Sequence, residues 1–168
     1  MILGMSTATF TLVHVILSLI GIAAGLVVVL GMLGARRLPA LTALFLATTV
    51  ATSVTGFFFH SAKIGPPHIV GAISLVVLAI SLLALYVHHV AGAWRWLYVA
   101  TAVIALYLNV FVGVVQAFQK LPFFNALAPT QTEPPFKIAQ GLVLLLFVAL
   151  GVTAVRKFHP YARGIVFR

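Results

Sequence analysis

The chain has 168 residues, 63% of them hydrophobic and 7% charged, with a mean hydropathy of +1.22. A water-soluble domain of this length cannot hide so much apolar surface, so lipid is the expected solvent. The absence of Cys excludes disulfides, thiolate metal sites and thiol redox chemistry.

The apolar runs predict an all-α integral membrane protein. It reads as one transmembrane domain, a bundle of five helices over about 10–33, 39–59, 68–87, 95–118 and 138–155. The first run lacks a basic n-region and is too long for a signal h-region, so it is expected to be retained. On it His14, Ser18, Gly21 and Gly25 share one face, and Gly21–Gly25 is a GxxxG that lets a neighbouring backbone approach. Pro39 opens the second run, which carries Thr48, Thr49, Thr52, Ser53 and Thr55. Their hydroxyls can bond back to their own helix or across to another. In the third run His68, Gly71, Ser74 and Ser81 share a face. Trp94, Trp96 and Tyr98 form an interfacial aromatic belt at the start of the fourth, which carries Asn109, Gly113, Gln116 and Lys120 along one side.

Residues 120–137, KLPFFNALAPTQTEPPFK, interrupt this pattern. They hold Glu133, the sole acidic side chain of the chain. With Pro122, Pro129, Pro134 and Pro135 in it, the segment is expected to stay non-helical. It is also expected to fold as a lid over the neighbouring polar residues, with Glu133 paired to Lys120, Lys137 or a histidine. A basic tail, residues 156–168, follows the last run.

Ten Lys+Arg against one acid give a formal charge of +9. Because these cations stand at segment ends, they read as orientation signals and headgroup contacts, not as a nucleic-acid footprint. Five spans put the termini on opposite sides. Arg36, Arg37, Arg95, Arg156, Lys157, Arg163 and Arg168 gather on one side, and Lys63, Lys120 and Lys137 on the other. The positive-inside rule then places the N-terminus and the 120–137 loop outside and the C-terminus inside. Arg36, Arg37, Arg156, Lys157 and Arg163 are the expected contacts to lipid headgroups.

In that frame His14, His60, His68, Gln116 and Gln140 fall toward the outer side, Asn109 lies somewhat past mid-membrane, and Glu133 hangs above them. Unpartnered polar groups in lipid cost several kcal/mol, so these residues are expected to turn toward one another as an outer polar site. His14 and His68, near the same membrane face, are candidate ligands for a metal ion or haem b, with glycines beside them leaving room for a flat ring. No HExxH, CxxC or dinucleotide fingerprint points to an enzyme.

The segments TALFLATTVATSVTGF, GAWRWLYV, YLNVFVGVVQAF and LAPTQTEPPF, which span most of the chain from Val13 onward, resemble a group of small uncharacterised bacterial inner-membrane proteins. The resemblance implies the bacterial inner membrane as location and carries no activity. The leading functional expectation is a binding or accessory subunit with a polar site in its outer half. It would work among membrane lipids, as part of a larger membrane complex or homo-oligomer. Two alternatives stand beside it. One is a redox membrane protein holding haem or a metal through outer histidines; the other is a small-solute transporter acting as an oligomer.

Overall fold

Ser6 opens the first helix. Its hydroxyl accepts from the Thr9 backbone N–H at 3.1 Å, satisfying one donor that a helix start otherwise leaves without a partner. The computed structural model describes residues 1–59 and 65–159. His60, Lys63, Arg163 and Arg168 lie outside the described residues.

The elements are α1 (Thr7–Leu33), α2 (Pro39–Gly56), α3 (Pro66–Leu82), a π-helical turn (Leu83–Val87), α4 (Trp94–Lys120), α5 (Pro122–Leu127) and α6 (Pro134–Lys157). Beyond an isolated bridge between Ile2 and Met5, no strand occurs among the described residues. Among the described residues, five helices are long and apolar enough to cross a membrane: α1, α2, α3 with its π turn, α4 and α6. The chain is built as a multi-pass membrane protein.

α4 is the centre of the bundle. It packs against α1, α3 and α6, and α1 packs in turn on α2. Tyr98, Val99, Ala102, Ala105, Leu106 and Asn109 recur at helical spacing along α4 and are all buried. α6 buries much less. Leu142, Leu145 and Leu146 point outward, which costs nothing where lipid is as apolar as leucine.

The glycine stripe of α1 makes the close crossing. A Cβ on Gly25 would lie 2.7 Å from Leu106 Cδ1 and 2.8 Å from the Phe45 ring, so only hydrogen fits between α1, α2 and α4.

The prolines of 120–137 act differently from the expectation. Pro122 sits at the start of α5, and Pro134 and Pro135 form the first turn of α6. At a first helical position the missing N–H is not needed and the fixed φ is already helical. Proline therefore launches two helices where the sequence reading takes it to prevent them. α6 begins ahead of its apolar run for the same reason.

At the other end of the bundle, Arg95 donates from Nη1 to the Val155 and Phe158 carbonyls at 2.9 and 2.7 Å. These carbonyls end α6 and have no helical donor of their own, so a cation there both caps and offsets the helix dipole. His88 stacks on Trp94 with ring centroids 3.7 Å apart.

Candidate functional site: a polar seam between α1, α2 and α4

Halfway along α1, Ser18 donates its hydroxyl hydrogen to Asn109 Oδ1 on α4 at 2.8 Å. One turn further, Gly21 lets polar groups of two other helices reach the α1 backbone. A Cβ there would meet Thr49 Oγ1 at 3.0 Å, Thr48 Oγ1 at 3.1 Å and Asn109 Nδ2 at 3.2 Å. The two threonines spend their hydroxyl hydrogens on their own helix. Thr48 donates to Leu44 O at 2.7 Å and Thr49 to Phe45 O at 2.7 Å. Their lone pairs are left to face the Gly21 position.

Asn109 is 8% exposed, and its Nδ2 has no hydrogen-bond partner among the described residues. Thr52 Oγ1, on the same helix as Thr48 and Thr49, is also buried without one. Toward the loop end, the seam continues with His14 Nδ1 at 2.8 Å from Thr55 Oγ1, whose hydrogen goes to Ala51 O. The His14 ring meets Phe59 edge-on. Beside it Ser53 donates to Ser74 Oγ at 3.0 Å, joining α2 to α3. In the other direction the seam is closed by Phe45 and Leu106 at Gly25. A polar strip thus runs from one end of the bundle to its middle and stops at an apolar plug.

The residues expected to form the outer site are divided among several places. Asn109 joins the seam, and His14 lies at its end. Gln140 faces a different side of α4, donating from Nε2 to Phe111 O at 3.2 Å with its Oε1 buried and unpartnered. Gln116 is exposed on the bundle surface. His68 sits at the start of α3, where its Nδ1 accepts from the Gly65 N–H at 3.3 Å and its ring meets Phe57. The room expected beside it is filled, since a Cβ on Gly71 would come within 3.1 Å of that same Phe57 ring. Among the described residues, no group of three or more His, Cys, Asp or Glu gathers as a metal site.

Among the described residues, Glu133 takes its partners from its own turn and not from a lysine or histidine. Its carboxylate accepts from Thr130 Oγ1 at 2.8 Å, Thr130 N at 3.2 Å and Thr132 N at 3.0 Å. Desolvation pushes its pKa up, but the hydrogen bonds from Thr130, from its own backbone and from Thr132 outweigh that and hold it below the usual carboxyl value. A short loop saturates this carboxylate locally, so no distant cation is required. The loop itself rests on the last turns of α4. Gln131 Nε2 donates to Val115 O at 2.9 Å, Asn125 Nδ2 to Phe118 O at 3.2 Å, and Phe118 packs against Phe124 and Phe136. It props the end of α4 where a lid was expected.

Sequence reasoning lists Asn109 but leaves Ser18, Thr48, Thr49 and Thr52 outside the site. The available signal is that the Ser18/Gly21 stripe and the threonine stripe are both polar and both mid-helix.

Searches against protein-family models, curated proteins and solved structures find no match for this chain.

Proposed function

We propose that the chain is a multi-pass binding subunit of the bacterial inner membrane, without catalysis of its own, whose polar seam takes a small uncharged hydrogen-bonding molecule. One observation carries this reading: a buried carboxamide in mid-membrane whose donor has no acceptor among the described residues. An unpaired buried N–H costs about 1–3 kcal/mol, more where no water competes, so an acceptor from outside the chain is favoured there. Hydroxyl and amide groups without charge suit a neutral ligand better than an ion. The N-terminus and the 120–137 loop face outward, supported by the seven-to-three excess of basic residues at the opposite end. The seam then opens toward the outside at His14. Lipids surround the bundle, and the sparsely packed α6, where a Cβ on Gly141 would meet nothing within 4 Å, is the face offered to a further copy or a larger assembly.

Asn109→Leu, made together with Ser18→Ala so that the Ser18 hydroxyl is not left without its acceptor, tests the reading. With nothing paired to Nδ2, replacing both partners by apolar groups is close to neutral or stabilising. With a ligand in place, it lowers stability in detergent by roughly 1–3 kcal/mol and removes a bound mass from the native mass spectrum of the purified protein. An unchanged spectrum together with a raised melting temperature would overturn the proposal. A Soret band lost in His14→Ala would replace it with the haem reading.

A further inference from the structure

α4 and α6 are tied together at both ends and parted in between. Toward the loop end Gln140 Nε2 donates to Phe111 O at 3.2 Å, and at the basic end Arg95 Nη1 donates to Val155 O at 2.9 Å. Between the two ties lies a groove of about 390 Å³, within the size range of ligand sites. Val103 and Ile104 stand on its α4 side, and Leu144, Val148 and Val152 on its α6 side. Tyr107 and Phe147 line it toward mid-membrane, with ring centroids 5.8 Å apart. Gly151 leaves space where a side chain would otherwise stand, since a Cβ there would meet Val103 alone, at an ordinary 3.4 Å. The groove is separate from the polar seam, which lies between α1, α2 and α4.

Its walls, its length and its charge say what fills it. Ile104, Leu144, Val148 and Val152 are exposed, so the groove opens sideways onto the hydrocarbon around the bundle. Along α6 it runs from Leu144 to Arg156, about 18 Å at the helical rise. Half of a bilayer core is about 15 Å thick, so the groove matches one leaflet. Leu144 stands near the middle of the 24-residue α6, and Arg156 stands in its last turn. A helix of a second copy would need the full thickness, about 20 residues, and not half of it.

Arg156 is exposed and is the one charged side chain lining the groove among the described residues. The carbonyls that end α6 are served by Arg95 and do not call on Arg156. Glu133, the sole acidic side chain of the chain, precedes the opposite end of α6, about 35 Å away along the helix. It cannot neutralise this mouth.

We propose that the groove holds one acyl chain of an anionic phospholipid, with Arg156 at its mouth taking the phosphate. An acyl chain gains no hydrophobic free energy by leaving other acyl chains, so the walls alone do not choose among lipids. They contribute dispersion contacts along the chain. Arg156 supplies the choice, because a guanidinium fork pairs with phosphate oxygens and favours a headgroup without a cation of its own.

The test uses the full chain in non-ionic detergent at fixed ionic strength. It is titrated with phosphatidylglycerol and, in parallel, with phosphatidylcholine of the same acyl chains. Native mass spectrometry reads retained lipid and oligomeric state, and thermal unfolding gives a second readout. One phosphatidylglycerol per chain is expected to bind, to raise the melting temperature, and to bind several-fold tighter than phosphatidylcholine. Arg156→Gln should weaken it about fivefold, the effect of one cation near a membrane surface. Lys157→Gln removes the same charge next to the groove and should change binding less than twofold. Gly151→Leu fills the groove and should weaken binding several-fold, whereas Gly141→Leu adds the same side chain elsewhere on α6 and should leave it unchanged. Should Gly151→Leu fail to fold, the unaltered chain decides. Phosphatidylglycerol with a photoreactive group in mid-chain should then label residues 144–152 in preference to 69–76, the exposed apolar face of α3. Equal losses at Arg156 and Lys157 with no preference between the lipids, or label spread evenly over both faces, would leave only the lipid that surrounds any span. A dimer that retains no lipid and that Gly151→Leu dissociates would give the groove to a second copy and overturn the proposal.

Discussion

Among single residues, hydroxyls and amides in this chain settle their hydrogen bonds locally before reaching across. Thr48, Thr49 and Thr55 bond back to their own helix, Thr101 donates to Leu97 O, and Thr153 to Ala149 O. For these threonines the acceptor one turn back is within reach, so no tertiary partner is needed. Asn109 departs from this, as do Ser18, Ser53 and Gln140, which reach across to other helices; an amide in particular has more hydrogens than a helix has free acceptors beside it. Glu133 follows the local rule. Its folded-state pKa lies below the unfolded one, so its contribution is present at neutral pH and is lost as pH falls through the lowered folded value. We expect the Thr130 and Thr132 amides to lose hydrogen-exchange protection over that acid range while the spans keep theirs. Glu133→Gln should abolish the pH dependence, because the amide oxygen accepts without titrating. Protection that stays constant down to acid pH would show that these bonds do not hold the turn.

Among the helices, α1 is set by what it lacks. Gly21 and Gly25 allow α2 and α4 to lie against its backbone, and every polar contact of the seam depends on that approach. Gly25→Ala should therefore cost about 1–3 kcal/mol, since the new methyl meets Leu106 and Phe45 closer than any real Cβ contact. Thermal unfolding in detergent reads the effect, and an unchanged melting temperature would mean that α1 can slide to make room. Gly141→Ala on α6, which meets nothing within 4 Å, is the matched control and should move the melting temperature little or upward. Proline shows the same dependence on position. In 120–137 it reads as a helix breaker, yet Pro122 and Pro134 are helix starters because each follows a residue in extended backbone, Leu121 and Glu133.

For the whole molecule, five spans require the α3–α4 connection and the 120–137 loop to lie on opposite sides of the membrane. Cysteine introduced at Ala91 should label from the cytoplasmic side, and at Thr130 from the outside, since basic residues concentrate at the Ala91 end. Labelling of both from one side would mean that one of the five helices does not cross. Reversed labelling would leave five spans and overturn the orientation alone.

Composition and hydropathy by themselves determined that lipid is the solvent, that the chain is helical and that five segments are long enough to cross, because each of these depends on summed apolar length and not on neighbours. The Gly21/Gly25 stripe likewise announces a close crossing, since only the absence of a side chain is needed to read it. Which residues form a site was decided by tertiary structure. Seven polar residues near one membrane face look like a cluster when depth is the only coordinate. Depth says nothing of the angle at which a side chain leaves its helix. Helix rotation sends Asn109 toward Ser18 and Thr49, Gln140 toward Phe111 O and Gln116 outward. Packing sets that rotation, chiefly α1 on α2 and α4, where glycine and large apolar side chains interlock. Val103 and Gly151 are equally unrelated in sequence. Gln140 at one end and Arg95 at the other tie α4 to α6 and bring them to the walls of the same groove.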